Sequence, residues 1–152
     1  MSTYTVTIRW SRSAAEAFTD GRYSRAHEWA FDGGATIPAS SSPQVVPLPF
    51  SDAAGVDPEE AFVASLSSCH MLFFLDFARR AGLVVEGYED VAEGVMAKRD
   101  DGRMAMTVVK LRPRIAWGGE APDADALAAL HHKAHEACFI ANSVTSEVRI
   151  EK

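Results

Sequence analysis

Asp57-Pro58-Glu59-Glu60-Ala61-Phe62-Val63-Ala64-Ser65-Leu66-Ser67-Ser68-Cys69-His70-Met71-Leu72-Phe73-Phe74-Leu75 decides how the rest of this chain is read. It opens as a helix should. The Asp57 carboxylate can accept from the free N–H groups of a first turn. Pro58 falls at the first helical position, where its missing N–H costs nothing. Glu60, three residues after the cap, completes a capping-box pattern. Glu59 and Glu60 both favour the positive end of the helix dipole. The pattern runs to Ala81, and Gly82 is the expected stop. Between Ala61 and Ala78 the stretch is apolar on nearly every face, which predicts a central, buried helix. Cys69 lies in its middle.

Working outward, Tyr4–Trp10 alternates with β-branched and aromatic residues and reads as a strand. Arg22–Phe31 reads as a second strand, with Tyr23, Arg25, His27, Trp29 and Phe31 on one face. Ala35–Pro49 is rich in Ser and Pro and holds at most short edge strands. After the helix, Val84–Lys98 is a strand region with Gly87 and Gly94 as bulges or bends. Arg99-Asp100-Asp101-Gly102 is a hairpin turn, and Met104–Ile115 alternates as its second arm. Asp123–Ala137 is a second helix, with Asp123 or Pro122 at its start and Leu127, Leu130, Ala134 and Ala137 on its inner face. Cys138–Asn142 continues it briefly, and Thr145–Ile150 closes as a strand. The order is β, β, long helix, β-hairpin, helix, β. That predicts an α+β fold, an antiparallel sheet with two helices packed on it, as a single domain over residues 1–152. A helix apolar all round is hard to cover in so small a domain, so we expect a homodimer with the two central helices together.

Composition narrows the function. The 152 residues suit one domain with a real core. Apolar residues make up 47% and charged residues 24%, as in soluble globular proteins. A net charge of −6 with no basic run argues against a nucleic-acid partner. Three serines, His70 and Asp76 interrupt the apolar helix, which argues against a membrane span. Met1–Trp10 has no basic segment followed by an apolar one, so no export signal is visible and a cytoplasmic location is expected. The chain has two cysteines, Cys69 and Cys138, which read as reduced thiols at rest.

Each cysteine taken alone is most simply a small core residue. As a pair they admit redox chemistry. A nucleophilic cysteine acts as its thiolate and needs a cation or donors nearby, and mid-helix the dipole gives little help. Arg25 is the best candidate, with Arg22 in reserve. Glu59 lies ten residues before Cys69, a rise of about 15 Å in a straight helix. If the two serve one site, either two chains build it or the helix breaks near its start. His131, His135 and Cys138 share a helix face, a weak zinc pattern with Cys69 as a fourth candidate.

The stretch from Asp57 to Cys69, with Ala134-His135-Glu136-Ala137-Cys138 far downstream, resembles the OsmC/Ohr family of organic hydroperoxide reductases. That family opens its central helix with Asn-Pro-Glu-Glu/Gln-Leu and places a cysteine ten residues after the first glutamate. Its second cysteine follows an amphipathic helix. The resemblance implies an OsmC/Ohr-like α+β fold, an intertwined homodimer with two shared sites, and a thiol peroxidase without metal or organic cofactor. It makes Cys69 the peroxidatic nucleophile and Cys138 the resolving thiol, with Glu59 and an arginine, here Arg25, holding the thiolate. The partners it implies are an organic (alkyl or lipid) hydroperoxide and a dithiol reductant. The chain departs from the pattern in three places. Cys138-Phe139-Ile140-Ala141 stands where the family often has Cys-Pro-x-Ser. Pro49 stands where one branch carries its arginine. His70 stands where an aromatic is usual. The rival readings are a binding or zinc-binding protein on the same fold.

Overall fold

The central stretch folds as one unbroken helix, α1 (Pro58–Arg80), in a computed structural model that describes residues 1–151. Its start is a reciprocal capping box. The Glu60 N–H donates to Asp57 Oδ1 at 2.7 Å, and the Asp57 N–H donates to Glu60 Oε2 at 3.2 Å. Its end is a Schellman turn. Gly82 takes φ +75°, its N–H donates to the Arg79 carbonyl, and the Leu83 N–H reaches back to Ala78. Burial on nearly every face, expected from the sequence, is not what a single chain provides. The buried residues are Leu66, His70, Phe74 and Ala78, one at every fourth position, hence a single stripe. Leu72, on another face, is 61% exposed. By length and composition α1 would pass as a membrane span; in this chain it supplies that stripe to the core.

The chain divides into two compact units, Met1–Ala61 and the part from Phe62 onward. The first holds an antiparallel sheet of β1 (Val6–Arg9), β2 (His27–Phe31) and β3 (Thr36–Ala39), with β2 in the centre. Pro38 sits in the short edge strand, as its missing donor requires. The second strand begins at His27 and not at Arg22, because the donors upstream bond elsewhere. The Arg22 N–H donates to Asp20 and the Ser24 N–H to Glu16, and the Arg25 N–H donates to the Phe50 carbonyl. Tyr23 and Arg25 therefore do not extend the strand face of His27 and Trp29.

The second unit adds β4 (Val85–Asp90), β5 (Glu93–Lys98), β6 (Met104–Leu111), β7 (Pro113–Trp117), helix α2 (Ala124–Ala137), a 3₁₀ turn at Ala141–Ser143 and β8 (Glu147–Ile150). Each of the two strand regions expected after the helix is two strands in two sheets. β4 pairs with β7, while β5, β6 and β8 form the other sheet. Asp90 marks the junction. Its Oδ1 accepts the Arg112 N–H at 2.6 Å and its Oδ2 accepts the Ser67 hydroxyl, so both strand regions turn at one carboxylate. The hairpin at Arg99–Gly102 is as read, with Gly102 at φ +83°. The sheet is not antiparallel throughout: β8 runs parallel to β6, reached through the long connection over α2 that a parallel pair requires. The core has two parts. Phe74, Ala78, Leu130 and Ala134 fill the first, and Leu66, Val109 and Leu111 the second. The result is an α+β fold.

Candidate active site

Both cysteines are free thiols, and α1 and α2 bring them together. Cys69 is half-buried in the middle of α1. Cys138 caps the C-terminus of α2, where its N–H donates to the His135 carbonyl, and its side chain is buried. The two thiols are neighbours, near enough for Cys69 to act on the Cys138 thiol. Burial pushes the Cys138 thiol up to about 11, and the neighbouring Cys69 adds to the shift. The Ala141 N–H, donating to Cys138 Sγ at 3.4 Å, acts the other way.

Beside the thiols, the same two helices exchange a second polar contact. His70 Nε2 and His131 Nδ1 are 3.0 Å apart with the rings inclined by 9°. One shared N–H joins them. His70 is 1% exposed, and its pKa is lowered to about 4 by burial, then by His131 and His135. His131 stacks on Phe74 and is lowered by burial, with Asp90 opposing. Both rings are neutral near neutral pH. His70 Nδ1 and His135 Nδ1 are buried without a hydrogen-bond partner among the described residues. Two residues before Cys69, the Ser67–Asp90 contact fixes the rotation of α1 against β4.

In the first unit, Arg25 is held in place. Its Nη1 donates to the Gly21 and Tyr23 carbonyls at 2.6 and 2.5 Å. Its guanidinium lies 3.8 Å from the Tyr23 ring centroid, a cation–π contact. His27 Nε2 accepts from the Trp29 indole at 2.8 Å, so the ring's proton sits on Nδ1 and goes to the Arg25 carbonyl. Arg22 lies 5.9 Å from the Phe50 ring centroid. Glu59 is half-exposed in the first turn of α1, and within the first unit no ion pair joins it to Arg25.

The family model of OsmC-like proteins matches residues 51–152. The chain belongs to the OsmC-like protein family. An OsmC-like protein of unknown function from Vibrio cholerae is 53% identical, with a TM-score of 0.97 and 99% of each chain covered. The organic hydroperoxide resistance protein of Bacillus subtilis is 20% identical, with a TM-score of 0.66, covering 98% of this chain and 96% of the other. That of Elizabethkingia anophelis is 15% identical, with a TM-score of 0.67, covering 98% and 94%. At these last identities the likeness establishes the fold. No curated protein matches the sequence.

In this OsmC-like chain the structure thus joins Cys69 to Cys138 and leaves Arg25 and Glu59 unpaired with one another. Among the described residues no three His, Cys, Asp or Glu side chains converge to hold a metal ion, so the zinc pattern of His131, His135 and Cys138 does not assemble. Sequence reasoning missed the His70–His131 pair and the Asp90 junction. His131 adjoins the apolar stripe of Leu127, Leu130 and Ala134, and that position is the one signal that it turns inward.

Proposed function

We propose that this chain is a cysteine-based thiol peroxidase that reduces organic hydroperoxides. The observation that carries the reading is the Cys69–Cys138 pair: one thiol half-buried, the other sealed in, within reach of each other across two helices. The Cys69 thiolate attacks the distal peroxide oxygen, the O–O bond breaks, and the alcohol departs with a proton. Cys69 is left as a sulfenic acid. Cys138 Sγ then bonds to Cys69 Sγ, the S–O bond breaks, and water leaves. A dithiol reductant restores both thiols by exchange, which suits a reducing compartment such as the cytoplasm. The roles are supported by their accessibility. Cys138, sealed in and held as a thiol by burial, suits the resolving position and not the attacking one.

The same reading gives Arg25 and Glu59 the task of stabilising the thiolate and the developing alkoxide. Because α1 is unbroken, ten residues of rise keep Glu59 about 15 Å from the Cys69 of its own chain. A site using both is built by two copies, and the reading therefore includes a homodimer. The apolar side chains around the thiols suit alkyl or lipid hydroperoxides. Phe73 and Phe139 meet edge to face at 5.0 Å, and Phe139 is exposed. The substitutions that test this are Cys69→Ser and Cys138→Ser, assayed for turnover with cumene hydroperoxide and a dithiol. Cys69→Ser abolishes turnover. Cys138→Ser is oxidised once and stops as a sulfenic acid trapped by dimedone. Turnover at the wild-type rate in either variant contradicts the assignment.

A further inference from the structure

We propose that His135 takes the proton that Cys138 gives up when the disulfide closes. This rests on the peroxidase reading and adds to it the base of its second step. Closing the bond converts a buried thiol into a disulfide sulfur. Cys138 is 1% exposed, so its proton needs an acceptor inside the protein. His135 lies one turn before Cys138 on the same helix, and i,i+3 side chains are neighbours at about 5–6 Å between Cβ atoms. The Cys138 N–H, bonded to the His135 carbonyl at 3.2 Å, closes that turn of backbone. His135 Nδ1 is buried with no partner among the described residues, a state that calls for an explanation. A neutral imidazole with an open nitrogen is a proton acceptor.

The surroundings select His135 among the three histidines. His70 also leaves its Nδ1 open, but burial lowers the ring's pKa to about 4, which makes it a poor base, and His131 is engaged with its other nitrogen. His135 is in the last turn of α2, where the negative end of the helix dipole favours the imidazolium it would become. The titratable groups around it are His70 from α1, His131 one turn back on α2, and Cys138 at the cap, with Cys69 beside Cys138. Asp90 of β4 acts on His131. His132 and Glu136 pair with each other on the exposed face, at 3.4 Å. In the step, the Cys138 S–H bond breaks and its proton moves to His135. The Sγ–Sγ bond forms, the Cys69 S–O bond breaks, and the departing hydroxide leaves as water with the proton from the imidazolium.

The test is stopped-flow oxidation of the reduced full-length protein, quenched into dimedone and N-ethylmaleimide and read by intact mass. His135→Gln leaves sulfenic-acid formation at its wild-type rate and slows disulfide closure by about a hundredfold, the scale of a general base. Added imidazole restores part of the loss, and His132→Gln changes neither step. Equal closure rates in the two proteins overturn the proposal. Should His135→Gln fail to fold, His135→Asn takes its place, and closure at the wild-type rate in that variant overturns it. Diamide in place of hydroperoxide closes the same two thiols without peroxide chemistry. Wild-type closure with diamide alone retires the peroxidase reading while still testing His135, and closure with neither oxidant overturns both.

Discussion

At the scale of single residues, the interior imidazoles set how this protein meets acid. The His70 pKa is lowered from 6.5 to about 4 in the folded chain, so the folded state refuses a proton that the unfolded state accepts. Stability is complete above about pH 6.5 and is lost as pH falls from there toward about 4. His70 alone puts roughly 3 kcal/mol at stake over that range, and His131 adds in the same direction. Urea unfolding across the window should show the midpoint falling with pH, and His70→Leu should flatten the fall. A flat wild-type midpoint would refute the buried, neutral pair. The cysteine pair entered through the resemblance to the OsmC/Ohr family, carried by the sequence contexts of Cys69 and Cys138; residue types alone left each as a small core residue. The His70–His131 contact was not legible, since two histidines on different helices carry no sign of which faces will meet.

Elements behave as their end residues dictate. Both helix starts were readable, at Asp57 and at Asp123, whose side chain accepts the Ala126 N–H at 2.8 Å. Asp57→Ala should cost about 1–2 kcal/mol, since it removes one half of a reciprocal box and strands the other. Thermal unfolding measures it. Gly94 gives a sharper case. A Cβ there would lie 2.2 Å from Met106 Cε and 2.5 Å from Val63 Cγ2. Met106 can swing away, but the branched Val63 on α1 cannot, so Gly94→Ala should destabilise by about 1–3 kcal/mol. A neutral Gly94→Ala would mean that α1 and β5 are less closely packed than described. The sequence did mark Gly94, but as a bulge or bend. It could not show the strand breaks near Asp90 and Arg112, because alternation continues through both. What ends the strands is a hydrogen bond between residues 22 apart.

For the whole molecule, the open question is what covers α1. One stripe is buried, and Leu72 remains 61% exposed in a single chain. We propose a second copy there, which would also supply the glutamate that an unbroken helix keeps about 15 Å from its own Cys69. Light scattering should give twice the chain mass, and Leu72→Glu should shift the protein to monomer and abolish turnover together. A monomeric wild type with full turnover contradicts the shared site. The α+β class and the helix pair were legible from periodicity and caps. The parallel β6–β8 pair was not, because strand direction follows from the path of the chain over α2 and leaves no local mark.

The central claim is that two thiols form one redox pair, and its most direct measurement is a thiol count with intact mass before and after one equivalent of an organic hydroperoxide. The account predicts loss of both thiols and of about two mass units, the signature of a Cys69–Cys138 disulfide. Two thiols still free at unchanged mass would contradict it.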